Sequence, residues 1–362
     1  MIFMPQQISL FDTLQNGQQT PAGGGRQRSI FLHTYDDIIS VENLLEAWKE
    51  FLRGKRKKQD VQEFQADLMH NIFSLHNDLV GQTYCHGGYH HFKIADPKPR
   101  NIHKASVRDR LLHHAIYRIL YPYFDCTFVS DSYSCRLGKG THRAMNRFRA
   151  FTYQVSKNHT RTCWVLKCDI RKFFASIDHQ TLFAILEKYI SDQNILWLLR
   201  EVVSSFQTKT RTSDVRVLPK GLPLGNLTSQ LLVNIYMNEF DQFVKHTPRV
   251  KHYIRYADDF VLLSHDKQEL EKRLRYIVVF LREKLKLELH PDKVSISTIA
   301  SSVDFLGWVH FPDHRVLRTS SKQRMFRRVE GLEEDSPVVQ SYLGMLKHGN
   351  TEKLCQRLAH NF

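Results

Sequence analysis

Residues 252–264, HYIRYADDFVLLS, constrain the fold of this chain more than any other stretch. Two short apolar runs flank Asp258 and Asp259, which reads as a hairpin with both acids in its tight turn. Adjacent carboxylates there repel one another and oppose folding unless a cation neutralises them. Asp-Asp is also an ordinary turn pair, since Asp favours turns on its own account. A third acid shifts that balance. Asp169 ends a separate apolar strand, CWVLKCDI, well upstream. If the two strands are neighbours, three carboxylates converge on one point. Oxygen ligands of this kind suit Mg²⁺. Two such ions, roughly 4 Å apart, would clamp the attacking and leaving oxygens of a phosphoryl transfer.

The rest of the chain supplies a setting. Lys plus Arg number 52 against 37 for Asp plus Glu, a net charge of +15 that favours a polyanionic partner over a neutral one. A solvated basic surface is the plainer account of the same charge. None of the six cysteines forms a CxxC pair, so they read as reduced thiols of a cytoplasmic protein rather than as disulfides or a zinc site. His86, His90 and His91 lack acids or cysteines at zinc spacing and read as a loop or nucleic-acid contact. No apolar run reaches membrane-spanning length, and no secretion leader is evident.

Residues 1–40 read as a flexible extension around QNGQQTPAGGGRQR. Helices are expected from Val41, from Val61 to Leu79 and from Val107 to Tyr123, with a hairpin before the last. After Asp169 come a turn, a helix over HQTLFAILEKYI, an apolar helix at 227–245 behind GLPLGN, the acidic hairpin and a helix from Gln268 to Leu285. Strands VSIS and FLGWVHF follow, then a basic helical segment from Val316. The order predicts an α+β fold, an antiparallel sheet backed by helices.

Taken together, these motifs resemble reverse transcriptases. Tyr256-Ala257-Asp258-Asp259 resembles the family's YxDD box; Asp169 with Phe174, PLGNLTSQ, Lys293 in LELHPDK and FLGW at 305–308 follow in the family's order. KPR at 98–100 and RDR at 108–110 resemble its fingers motifs. The resemblance covers roughly residues 41–330 and implies a right-hand polymerase: fingers at 41–160 with part of the palm, palm at 161–310, and a short helical thumb at 311–362. It implies Asp169, Asp258 and Asp259 as catalytic acids, with Asp169, Ile170, Asp258 and Asp259 as the metal set for two Mg²⁺ ions. Phe174 corresponds to the aromatic that excludes a 2′-hydroxyl, although a core phenylalanine is the competing account and Phe173 lies beside it. Lys98, Arg100 and Arg108 are candidates for the triphosphate, or surface charges. Lys293 resembles the lysine that protonates departing pyrophosphate.

One motif departs from the common pattern. Where most members carry Gln-Gly-x-x-x-Ser-Pro, this chain has Leu224-Gly225-Asn226-Leu227-Thr228-Ser229-Gln230. Leucine replaces an amide that would touch the incoming sugar, a loss of about 1 kcal/mol of positioning. The variant is similar to reverse transcriptases of diversity-generating retroelements, which copy a template RNA with errors at adenines. That resemblance implies template RNA, a primer or cDNA, deoxynucleoside triphosphates and a small basic helical accessory protein as partners. Only 103 residues follow Asp259, short for a thumb plus an RNase H, endonuclease or maturase domain. Antiphage-defence and group II intron-like enzymes are the alternatives of the same class, and a non-catalytic nucleic-acid scaffold is the alternative of another.

Overall fold

The computed structural model describes residues 31–95, 99–206 and 219–359, and the chain from Leu32 onward forms one compact unit. Lys98 lies outside the described residues, as does most of the expected N-terminal extension. Part of that extension is built into the fold: Tyr35–Ile39 forms helix α1, with Ile38 fully buried.

The centre is a four-stranded sheet of β3 (Trp164–Asp169), β4 (Tyr253–Tyr256), β5 (Asp259–Ser264) and β6 (Ser295–Thr298), in the order β4-β5-β3-β6 and antiparallel throughout. Because β3 and β5 are central, both of their faces are covered, which explains apolar runs without polar alternation. Val165, Val261 and Leu263 meet Phe148 and Phe151 of α6 (Thr141–Val155) on one face. Phe260 of the opposite face meets Phe240 of α10 (Leu227–His246), ring centroids 4.9 Å apart, and α11 (Lys267–Leu285) covers the same side. The α+β arrangement anticipated from element order is the one present.

Before the sheet lie α2 (Val41–Phe51), α3 (Gln59–Ala66), α4 (Leu68–Val80), the hairpin β1 (His90–Ile94) and β2 (Arg100–Lys104), and α5 (Val107–Thr127). The single helix expected over Val61–Leu79 is broken in two, because Asp67 leaves helical geometry at φ −124°, ψ 46°. Between β3 and α10 come α7 (Phe173–Ser176), α8 (His179–Leu186) and α9 (Gln193–Ser204).

FLGWVHF is not one strand. It folds back on itself as β7 (Val303–Phe305) and β8 (Trp308–His310), turning through Leu306 and Gly307, both at positive φ. Gly307 accounts for the turn: only glycine takes φ +86° without penalty. Val316, expected to open a helical region, instead sits in β9 (Arg315–Leu317), paired to β8. Helices α12 (Thr319–Val329), α13 (Pro337–Leu346) and α14 (Glu352–Ala359) complete the described chain around Trp308, Met325 and Leu346. No helix among the described residues is long and apolar enough to cross a membrane.

Candidate active site

The register of the central strands brings the acids together. Asp169 pairs directly with Asp259, and Tyr256 pairs with Asp259 from the other side. Paired residues point to the same face, and their Cα atoms lie within about 5.5 Å. Asp258 occupies the two-residue turn beside them, after Ala257 at φ 56°. Such hairpins need a positive φ at the first central position, normally supplied by glycine. The Ile170 N–H donates to the Asp258 carbonyl at 3.2 Å, closing the turn onto the end of β3.

Electrostatics register the crowding. Burial pushes the Asp258 carboxyl above its ordinary range and Asp169 pushes further, against Lys293 and Arg100. Asp259 is pushed up to about 6 by burial, with Lys167 opposing and Asp258 and Asp169 adding. Lys293 reaches Asp169 with Nζ 2.9 Å from Oδ1. Its turn, Pro291–Lys293, is anchored where the His290 N–H donates to the Asp169 carbonyl at 2.8 Å.

A hard divalent cation fits this donor set: the side chains are carboxylates, and a positive charge would offset the burial and the mutual repulsion that raise Asp258 and Asp259. Among the described residues no three acidic, histidine or cysteine side chains already stand in ion-holding geometry. Instead, the Lys293 ammonium occupies one oxygen of Asp169. Ile170 could contribute only its backbone carbonyl. The bridge between Ile170 and Leu289 uses the N–H groups of Arg171 and His290, which leaves that carbonyl outside the bridge.

The two adjacent phenylalanines separate cleanly. Phe173 is 3% exposed and belongs to the core, whereas Phe174 is half-buried. The Phe174 carbonyl accepts from the Leu222 N–H at 2.8 Å, tying the segment after Asp169 to the loop that carries Leu224. The Leu224 carbonyl in turn accepts from the His103 N–H of β2 at 3.2 Å. Gly225 stands at φ +108°, a conformation that favours glycine, and a Cβ there would lie 3.2 Å from the Ile102 side chain, a tight contact. Gln230 is half-buried in the first turn of α10, its N–H donating to the Asn226 carbonyl at 3.3 Å.

A protein-family comparison matches residues 94–310 to "Reverse transcriptase (RNA-dependent DNA polymerase)". The chain belongs to the reverse transcriptase family. Protein YkfC of Escherichia coli (strain K12) is 27% identical over 267 residues, covering 64% of this reverse transcriptase and 66% of that protein. The group II intron-encoded protein LtrA of Lactococcus lactis subsp. cremoris is 22% identical over 289 residues, covering 63% of this chain and 46% of its own length. The chain thus spans less than two thirds of each relative. Telomerase from Candida albicans, solved with a TWJ fragment of telomeric RNA, aligns at a TM-score of 0.47 and 13% identity, over 71% of this chain and 52% of that one.

Other sequence candidates of this reverse transcriptase fall in different places. Arg100, in β2, is close enough for its charge to be felt at Asp258. Arg108 pairs with Asp78 and lies over the Tyr84 ring, its guanidinium carbon 5.1 Å from the centroid. His86 is not a surface group: its ring stacks on His113, with Nε2 atoms 3.2 Å apart, beside Asp109.

Buried histidines are expected to make the fold of this reverse transcriptase acid-sensitive. Burial lowers His113 to about 3, assisted by His86, and lowers His310 to about 4. Each remains neutral in the fold but gains a proton on unfolding near its ordinary 6.5. Their stabilising contribution is therefore complete above about 6.5 and lost as pH falls towards these depressed values. The melting temperature is expected to drop between pH 7 and pH 5 and to drop less in His310→Gln. Asp259, raised to about 6, acts in the opposite sense over the same interval, so the comparison with His310→Gln decides, and identical profiles of variant and wild type would contradict the reading.

Beneath the acidic turn lies a support that hydrophobic periodicity does not reveal. Arg255 is fully buried and donates twice to Asp241, at 2.7 Å from both Nε and Nη2. It also donates to Ser132 Oγ at 3.0 Å and to the Ala257 carbonyl at 3.2 Å, and the Tyr253 hydroxyl donates to Asp241 at 2.6 Å. An arginine inside an apolar strand was the available signal, because a buried guanidinium demands a buried acid.

Proposed function

We propose that this reverse transcriptase copies an RNA template into DNA using two divalent cations, Mg²⁺ by the oxygen-only donor set. Asp169, Asp258 and the Ile170 carbonyl would hold them, with Asp259 as the third acid. The observation that carries this reading is the pairing of Asp169 with Asp259, which sets Asp258 beside both. Such cations, when bound, stabilise charge on the attacking and departing oxygens of a phosphoryl transfer. Phe174, half-exposed beside the acids' strand, is suited to lie under the incoming sugar and to exclude a 2′-hydroxyl. Arg100 supplies positive charge on the fingers side, and Lys293 is the ammonium within reach of departing pyrophosphate. Residues 41–160, 161–310 and 311–362 serve as fingers, palm and thumb, with basic α12 tracking the template–primer backbone. Primer extension on an RNA template with Mg²⁺ and deoxynucleoside triphosphates is expected to yield DNA. No product with any divalent cation would overturn the proposal.

Its biological role is proposed to be error-prone copying in a diversity-generating element, with a small basic helical protein as accessory. Leu224 supports this: the loop is held by its backbone to β2, so the side chain can vary without disturbing its path. Leu224→Gln is expected to lower misincorporation opposite adenine about fivefold, the worth of one neutral hydrogen bond. An unchanged error spectrum would remove the argument. The likeness to a group II intron-encoded protein favours a second reading, an intron-type enzyme. A paired near-repeat and a short accessory gene in the flanking DNA would favour the first; their absence would favour the second.

A further inference from the structure

Away from the acidic centre, one cavity combines cationic walls with a buried donor that has no partner. It lies between α6, the β8–β9 turn and the link from α13 to α14, with a volume of about 270 Å³. Since liquid water occupies about 30 Å³ per molecule, there is room for a phosphate group. Arg149, Arg315, Lys347, His314 and His348 line it, and no carboxylate does. Arg315 Nη2 donates to Asn146 Oδ1 at 3.0 Å and Nε donates to the His348 carbonyl, yet Nη1 is buried with no hydrogen-bond partner in the described protein. Burial and the neighbouring Arg149 both lower the Arg315 pKa, as expected for two guanidiniums without an anion between them. A guanidinium cannot escape by losing its proton at ordinary pH, so the favourable resolution is a bound anion, and its fork matches phosphate oxygens.

A second hollow of about 510 Å³ adjoins the first, sharing Asn146 and Arg149. Its walls include Tyr153, His159, Pro312 and one acid, Asp313, whose carboxylate is 2.8 Å from His314 Nδ1, so the phosphate falls to the first hollow and the ring of the second is left for the base. Tyr153 is 50% exposed, and His159 meets it edge-on at 5.4 Å. Exposed rings beside basic groups are what an unpaired base stacks on.

We propose that the two hollows form a nucleotide-binding site separate from the acidic centre, with the phosphate on Arg149, Arg315 and Lys347 and the base on Tyr153. Two sources carry this chemistry, an unpaired residue of an RNA strand and a free nucleoside monophosphate.

Photocrosslinking with 8-azido-adenosine monophosphate in the presence of EDTA, mapped by mass spectrometry, tests it. The chelator keeps divalent cations from the acidic centre. Labelling is expected within residues 146–159 or 310–315. The double variant Arg149→Gln/Lys347→Gln is expected to reduce it at least about tenfold, given the strength of charge-assisted hydrogen bonds. Tyr153→Ala is expected to reduce it as well. Both variants should keep the wild-type melting temperature and primer-extension rate, which separates this site from the polymerase reading. Adenosine monophosphate should compete at far lower concentration than inorganic phosphate. Stronger competition by single-stranded RNA would identify the strand as the source, and stronger competition by the monophosphate would identify the free nucleotide. Labelling only elsewhere, labelling unchanged in the double variant, or equal competition by inorganic phosphate would overturn the proposal.

Discussion

Asp258→Asn is expected to lower primer extension roughly 10³-fold while leaving the melting temperature unchanged or raised. The kinetic loss follows from removing one negative charge from the proposed cation site. A metal ion contributes several kcal/mol of charge stabilisation, and each 1.36 kcal/mol is about tenfold in rate. The stability effect runs the other way. Burial and Asp169 already hold the Asp258 carboxyl above its ordinary range, so its ionised form is a liability to the folded chain without metal. Asparagine keeps the shape and removes the charge. In the same experiment, millimolar Mg²⁺ should raise the melting temperature of the wild type and not of the variant. Equal incorporation by the two proteins would sink the assignment of Asp258. A large loss of stability would show instead that the carboxylate is a structural group.

That pairing of a functional penalty with a structural gain marks what was legible in the sequence. Asp169 and Asp258 could be joined in advance because each ends or turns an apolar strand, and buried strands of one small sheet tend to be neighbours. Gly225 was legible as part of a motif, but its reasons, a φ of +108° and the close approach of Ile102 more than a hundred positions away, are set by the fold. The Lys293–Asp169 ion pair spans 124 positions and depends on the bridge that brings Leu289 to Ile170. Hydrophobic periodicity carried no trace of the break at Asp67, since the apolar stripe resumes on the next helix after a single non-helical residue. It also ran the apolar letters of FLGWVHF together, where Leu306 and Gly307 reverse the chain within two residues.

Arg255 offers the most demanding test of how the acidic turn is held. Arg255→Met should destabilise the protein by about 3–5 kcal/mol, the cost of leaving a buried partner charge uncompensated. Against a typical total of about 5–15 kcal/mol, that threatens folding altogether. The partner charge is Asp241, which accepts from Arg255 twice and from Tyr253 once. Replacing both members, Arg255→Met with Asp241→Leu, removes the stranded charge, and part of the stability should return, less the cost of the buried Tyr253 hydroxyl left without its Asp241 acceptor. Activity should not return with it. The Ala257 carbonyl, inside the turn at positive φ, would still lack its Arg255 donor, and Ser132 and Asn234 would lose theirs. The double variant should therefore fold but extend primers markedly more slowly than wild type, with its response to Mg²⁺ weakened. If it is both stable and fully active, the network serves only to fill the space between α10 and β4. If it folds and loses activity, the buried arginine is a positioning residue that keeps Asp258 aimed at Asp169.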